Sequence, residues 1–473
     1  MTMTYTQLKV LDKNKDYVVP CRSSEISKIK TLIPINKPDF DGSFGEFQMF
    51  YGNSGNRIYL LGLGEEEQSS KLEDAFRTLA FKTQKYWGDN LQIYSKNLNE
   101  HDLKKATIGL QLAQYEIGSL KAEKRSLSTT CIIFTDTVKN LESVINEGQL
   151  TGETVNRIKA LVDAPPNVKT PEYLGEWALE SSTDSEYSCK VISGEALKEQ
   201  SFEAVISVGK GSVNKPVVIV SEYFGADKES VDIGFVGKGI TFDSGGLSIK
   251  SSTNLHYMKS DMGGAAVVLG VVELAAKLKL KVNIVGVVAS AENAVDANSY
   301  RPGDVINSHS GKTIEIIDTD AEGRLVMSDA LSYLNKTYKP EYLIDLATLT
   351  GGVVRALGYS AAGMFTKNQE MATQMSMIGN RVHERVWQLP LYKDFESDLH
   401  SDVADIRNFS GKPIAGAINA AKFLEAFTED HPNWMHLDIA GVSFGDSNYT
   451  KMKSASGYGI QLITEFIKTK VSG

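Results

Sequence analysis

Three segments concentrate side chains able to hold metal ions or stabilise developing charge. The first, Gly237-Lys238-Gly239-Ile240-Thr241-Phe242-Asp243-Ser244-Gly245-Gly246, carries Lys238 and Asp243. The second, Met258-Lys259-Ser260-Asp261-Met262-Gly263-Gly264, carries Asp261 and comes shortly after Lys250. The third, Asp318-Thr319-Asp320-Ala321-Glu322-Gly323-Arg324, carries Asp320, Glu322 and Arg324. Each is read as the end of a strand. Residues two apart in an extended segment share a face, so Asp320, Glu322 and Arg324 are expected to point together. Carboxylates held close repel one another unless they are protonated or bridged by cations, and the four at positions 243, 261, 320 and 322 suit a pair of divalent ions that activate water. Any one segment alone is more often a solvated strand end; it is their joint occurrence at successive strand ends that makes a site. Gly237 and Gly239 are expected to let Lys238 reach inward. The chain has neither His-Glu-x-x-His nor a phosphate-binding loop, so the His-ligated zinc peptidase and P-loop readings lack their signatures.

The elements that must position these groups are an alternation of strands and helices. Apolar or β-branched runs at 217–221, 232–236, 282–288, 314–317, 342–346 and 435–439 read as strands. Residues 264–278 are apolar nearly all round, as in a helix packed under a sheet, and Val326, Ala330, Tyr333 and Leu334 form one stripe on a helix starting near Arg324. The fold class is therefore α/β: a smaller N-terminal α/β domain over residues 1–150, a connecting helix and linker over 151–168, and a larger domain over 169–473 with a mostly parallel, helix-covered sheet. In the first domain residues 57–62, 91–94 and 130–134 read as strands and 71–87 as a helix. Prolines 165 and 166 end the connecting helix.

Composition narrows the partners. With 50 Lys+Arg against 59 Asp+Glu in 473 residues, the net charge of −9 disfavours a nucleic-acid partner, whose phosphates call for a basic face. Three scattered cysteines show no disulfide or zinc spacing and read as reduced thiols. The first residues lack a basic segment followed by an apolar one, and no apolar run approaches a membrane span, so a cytoplasmic protein without a membrane partner is expected.

In order and spacing, the segments VGKGITFDSGG, MKSDMGGAA and DTDAEGRL resemble the cytosolic leucyl aminopeptidase family of two-metal peptidases. Residues 298–304, 346–352 and 436–441 support the resemblance, which covers about residues 155–470. It implies that Asp243 and Glu322 bridge two divalent metals, Zn or Mn. Lys238, as a neutral amine, and Asp261 complete one site, and Asp320 completes the other. It also implies Lys250 and Arg324 as catalytic side chains, with bicarbonate held at Arg324 as proton shuttle. Met258, Thr348, Leu349 and Gly351 would contact substrate. The implied reaction is hydrolysis of the N-terminal peptide bond of peptides with a free α-amine, preferring apolar residues such as Leu or Met, through a hydroxide bridging the metals. The implied assembly is a homohexamer with active sites facing an interior cavity. A non-catalytic structural or DNA-binding scaffold of the same fold is the alternative. Asp318 stands where most family members have Asn, adding a negative charge near the metals. Asp438 reads as a structural hydrogen-bond acceptor, and His256 as a residue without a role.

Overall fold

Residues 233–243 are apolar or glycine at nearly every position, which suits a strand covered on both faces, and they form the central strand Ile233–Asp243 in the computed structural model of the protein. The structure describes residues 3–29, 40–118, 120–123, 130–135 and 141–471. The strand lies in an eight-stranded sheet whose order is Val386–Gln388, Ala362–Phe365, Trp434–Asp438, Tyr342–Ala347, Ile233–Asp243, Asn283–Asn293, Val217–Phe224, Ser188–Ser193. The four strands from Trp434–Asp438 to Asn283–Asn293 are mutually parallel. On one flank Val217–Phe224 and Ser188–Ser193 each run antiparallel to their inner neighbour. On the other, Ala362–Phe365 is antiparallel to Trp434–Asp438 and pairs in parallel with the edge strand.

Alternation along the central strand assigns the two faces. A Cβ at Gly237 would meet the backbone of Ala265, so the odd positions face the helix Gly263–Lys277. A Cβ at Gly234 would meet the Leu334 side chain, so the even positions, Lys238 among them, face the helix Glu322–Tyr338. The first of these helices approaches so closely that a Cβ on Gly264 would stand 1.9 Å from the Leu346 carbonyl oxygen. Only glycine permits that contact.

One expected strand lies elsewhere. Residues 314–317 do not extend the large sheet; Thr313–Glu315 forms a separate three-stranded sheet with Val305–Asn307 and Ile406–Arg407. The third motif is therefore a turn leading into a helix, and Glu322 and Arg324 project from the first turn of that helix rather than from an extended segment. An Asp-x-Glu-x-Arg run does not by itself distinguish the two backbones.

The chain folds as two compact units, residues 1–156 and 157–473. The first unit has its own six-stranded sheet, in the order Thr4–Leu8, Cys131–Thr135, Asn90–Tyr94, Tyr17–Cys21, Arg57–Gly62, Phe47–Tyr51, parallel throughout except for the last pair. Its core gathers Phe76 and Leu79 from the helix Leu72–Thr83 with Leu91, Ile93 and Phe134 from the strands. The helical pattern expected over residues 150–161 belongs to a longer helix, Leu141–Asp163, which stops before Pro165.

Candidate active site

The carboxyl end of the central strand, the turn Leu255–Ser260 and the start of the helix Glu322–Tyr338 bring the predicted residues together. Asp243, Asp320 and Glu322 each place a carboxylate oxygen within 4.8 Å of the others. Lys238 Nζ lies 2.7 Å from Asp261 Oδ2 and 3.0 Å from Glu322 Oε1. Lys250 Nζ lies 2.8 Å from Asp243 Oδ2 and also contacts Asp320. Two ammonium groups are thus interleaved with four carboxylates.

The charges perturb one another strongly. Burial, reinforced by Glu322 and Asp243 against the pull of Lys238, pushes Asp261 up to about 8. Burial and the Asp243 carboxylate push Asp320 up to about 7, and the same two causes raise Glu322. For Lys238 and Lys250 burial disfavours the charge, but the surrounding carboxylates outweigh it and hold both above the ordinary lysine value. This is the signature of anions needing cations. The donor set fits divalent metals: Glu322 Oε2 is buried without a hydrogen-bond partner, and Asp261 Oδ2 meets only the Lys238 ammonium. Oxygen donors with one amine suit divalent cations.

Room for Lys238 is made by a different glycine from those the sequence pointed to. A Cβ on Gly323 would stand 2.3 Å from Lys238 Cε, so the lysine stem runs across the glycine of the third motif. Gly237 serves close packing on Ala265 instead.

Several positioning residues were not legible in the motifs. Asn293, in register with Asp243 on the adjacent strand, donates from Nδ2 to Asp243 Oδ1 at 2.8 Å and to the Thr319 carbonyl at 3.0 Å. The Tyr300 hydroxyl donates to that same carbonyl. Asn408 pins the turn before the helix: its Oδ1 accepts from the Ile317 and Asp318 amides, and its Nδ2 donates to the Asp318 carbonyl. Nothing in their immediate sequence marks them out: Asn293 follows Glu292, Tyr300 stands between Ser299 and Arg301, and Asn408 follows Arg407, so their roles emerge only once distant segments are brought together. Asp318 accepts from the Asp320 amide at 2.9 Å through Oδ1, a bond that an asparagine oxygen would also make.

Arg324 is buried, and its Nη1 donates to the Asn408 carbonyl at 2.8 Å while Nε has no partner. Burial lowers its pKa to about 10 against the nearby carboxylates, so it stays charged at neutral pH. Met258 sits half-buried in the turn just before Asp261. Thr348 accepts from Lys238 Nζ through its carbonyl at 3.0 Å and donates from Oγ1 to Asp261 Oδ1 at 2.8 Å. Leu349 is partly buried, and Gly351 is exposed at the start of the helix Gly351–Leu357. His256 is exposed, its ring against Tyr257.

One further pattern is a distractor. Gly441-Val442-Ser443-Phe444-Gly445 spells the bare Gly-x-Ser-x-Gly of serine hydrolases. Ser443 is followed by the short strand Phe444–Gly445 rather than a helix, and its buried Oγ has no hydrogen-bond partner, so no base activates it.

The profile of the cytosol aminopeptidase family, catalytic domain, matches residues 156–464. The chain is 37% identical over 452 residues to a probable cytosol aminopeptidase of Rickettsia rickettsii, covering 92% of this chain and 90% of that protein. The chain belongs to the cytosol aminopeptidase family. A probable cytosol aminopeptidase of Chlorobaculum tepidum is 35% identical, with 91% and 90% covered. Among solved structures the fold is similar to the cytosol aminopeptidase of Coxiella burnetii, with TM-score 0.84, 27% identity, and 98% and 99% covered. It is also similar to a tomato leucine aminopeptidase variant, with TM-score 0.87, 27% identity, and 98% and 96% covered. The bottromycin maturation enzyme BotP in complex with Mn matches with TM-score 0.86, 25% identity, and 97% and 100% covered. Membership makes this protein a metal-dependent aminopeptidase, a hydrolase acting on peptides. The relatives give no support to a non-catalytic or DNA-binding scaffold. Among the described residues no helix is long and apolar enough to cross a membrane.

Proposed function

We propose that this aminopeptidase removes apolar N-terminal residues, such as Leu or Met, from peptides with a free α-amine. In this reading Lys238, Asp243, Asp261, Asp320 and Glu322 hold two divalent cations, Zn or Mn. The observation that carries it is the cluster itself, four carboxylates interleaved with two lysines, with Glu322 Oε2 buried and without a donor. Bound there, the cations would supply Lewis acidity, polarising a carbonyl and bringing the pKa of water toward neutrality. The protein's own residues do the rest. Lys250, oriented by Asp243 and Asp320, stabilises the oxyanion that develops on the scissile carbonyl. Arg324, charged and buried with Nε free to donate, holds a small anion such as bicarbonate that accepts the proton. Met258 offers a pliable thioether to apolar side chains, and Thr348, Leu349 and Gly351 border the substrate.

The same reading places the protein in the cytoplasm as a homohexamer. Residues 1–150 form a variable module for assembly or regulation, 151–168 the connection, and 169–473 the catalytic domain. The deciding experiment follows leucyl and methionyl peptides and their N-acetyl counterparts by mass spectrometry with metal-loaded protein. Acetylation removes the amine lone pair and adds bulk at the anchored end, so one-residue trimming of the free peptides and no cleavage of the blocked ones are expected. Comparable cleavage of both, or early internal cuts, would refute the reading.

A further inference from the structure

The loop that follows the strand Tyr342–Ala347 is held from two sides. On one side Thr348 engages Lys238 and Asp261, as described above. On the other stands a file of polar side chains within the large sheet. The strand Trp434–Asp438 is paired so that Leu343 lies beside Trp434, Asp345 beside His436 and Ala347 beside Asp438. Residues in register on adjacent strands project from the same face, and alternate residues along each strand share it. Trp434, Asp345, His436 and Asp438 therefore line one face, and all four are buried. Trp434 Nε1 donates to Asp345 Oδ2 at 2.7 Å, and His436 Nδ1 lies 2.5 Å from Asp345 Oδ1.

Asp438 ends the file at the carboxyl end of its strand, and every donor recorded on its carboxylate but one belongs to the neighbouring loop. Oδ1 accepts from the Leu349 amide at 3.1 Å and, from two residues further along its own segment, from the Ala440 amide at 3.2 Å. Oδ2 accepts from Thr350 Oγ1 at 2.7 Å. Thr350 Oγ1 in turn accepts from the Val353 amide and caps the helix Gly351–Leu357. A buried carboxylate is tolerated only when its lone pairs are satisfied, and here the groups that satisfy it are the backbone and side chain of one loop. Both oxygens are occupied by donors, and Asp438 is not among the residues whose carboxylates converge on a cation site, so it is not a further metal ligand.

We propose that Asp438 is the positioning residue of the substrate-contacting loop: its carboxylate fixes Leu349–Gly351 relative to the carboxylate cluster and thereby sets the fit of the substrate's first residue. The inference rests on the reading of Thr348, Leu349 and Gly351 as substrate contacts. Asp438 touches no reacting atom; it acts through the loop.

The test compares the wild type, Asp438→Ala and Asp438→Asn as full-length, metal-loaded proteins, by hydrogen exchange over residues 346–352 and by kinetics on leucyl p-nitroanilide. Asp438→Ala removes three bonds to a charged acceptor, so exchange in the loop should quicken and KM should rise, each by about tenfold or more, with kcat per metal-loaded site changed far less. Asp438→Asn keeps an acceptor for the two amides and can donate to Thr350 Oγ1, so it should recover KM to within about threefold. If Asp438→Ala does not fold, Thr350→Ala, which removes the Oδ2 bond together with the cap on the Val353 amide and leaves the Oδ1 bonds, should move exchange and KM in the same direction by a few-fold, while Thr350→Ser, which keeps both bonds, should not. Unchanged loop exchange would overturn the proposal. So would a loss confined to melting temperature and active fraction with KM untouched, which is what a merely structural role produces. A wild type that cleaves no leucyl substrate would refute the function reading instead, and the exchange measurement would still decide whether Asp438 holds the loop.

Discussion

Lys238 and Lys250 are both ammonium groups set among carboxylates, yet their surroundings separate their roles. Lys238 is enclosed, bonded to Asp261, Glu322 and the Thr348 carbonyl, whereas Lys250 is partly open to solvent and faces Asp243 and Asp320. A donor at the open side is placed to meet substrate. Lys250→Ala is therefore expected to lower kcat by about 10²–10³-fold, the usual cost of losing one oxyanion donor, while metal analysis still finds two ions per subunit. Loss of one ion would make Lys250 a ligand. At this scale much of the site was legible, because each charged residue in the three motifs carries its chemistry in its identity. Asn293 and Asn408 were not, because an asparagine gains meaning only from what it is bonded to, and those partners come from other parts of the chain. The role of Gly323 was missed, and given to Gly237 and Gly239, for the same reason: the residue that makes room for Lys238 is adjacent in space, not in sequence.

Among the elements, the central strand and its two helices were readable from apolar pattern, since burial on both faces leaves continuous apolar runs. The antiparallel flanks and the separate three-stranded sheet were not. A run such as Thr313–Glu315 has the composition of a strand wherever it pairs, and pairing is a long-range property. The tightest contact between elements yields a stability prediction. A methyl group at position 264 would collide with the backbone carbonyl of Leu346, which cannot swing aside as a side chain could. Gly264→Ala should destabilise the catalytic unit by about 1–3 kcal/mol through overpacking, read as a lower urea midpoint. An unchanged midpoint would mean that helix and strand are not locked in this contact.

For the molecule as a whole, proton binding away from the site should leave a mark on stability. The His309 ring packs against Phe202 and Tyr333, with Nδ1 2.9 Å from Ser332 Oγ, and burial followed by the charge of Lys336 pulls its pKa from 6.5 down to about 4. The folded chain thus keeps this imidazole neutral over a range in which the unfolded chain protonates it. Between about pH 6.5 and about 4 the unfolded state binds more protons, so the stability this group contributes is present above that window and is lost as pH falls through it. His309→Asn, which keeps an acceptor but cannot titrate, should remove that part of the slope. The melting-temperature gap between wild type and variant should narrow as pH falls from 7 to about 4.5, and parallel curves would contradict the assignment. The contact between Gly323 and Lys238 has a consequence of another kind, in how the chain can change over generations. A side chain at 323 would press on the lysine stem, which could give way only by leaving its bonds to Asp261, Glu322 and the Thr348 carbonyl. A substitution at 323 is therefore expected to come at the expense of the placement of Lys238, and the two positions are expected to vary together among descendants of this chain.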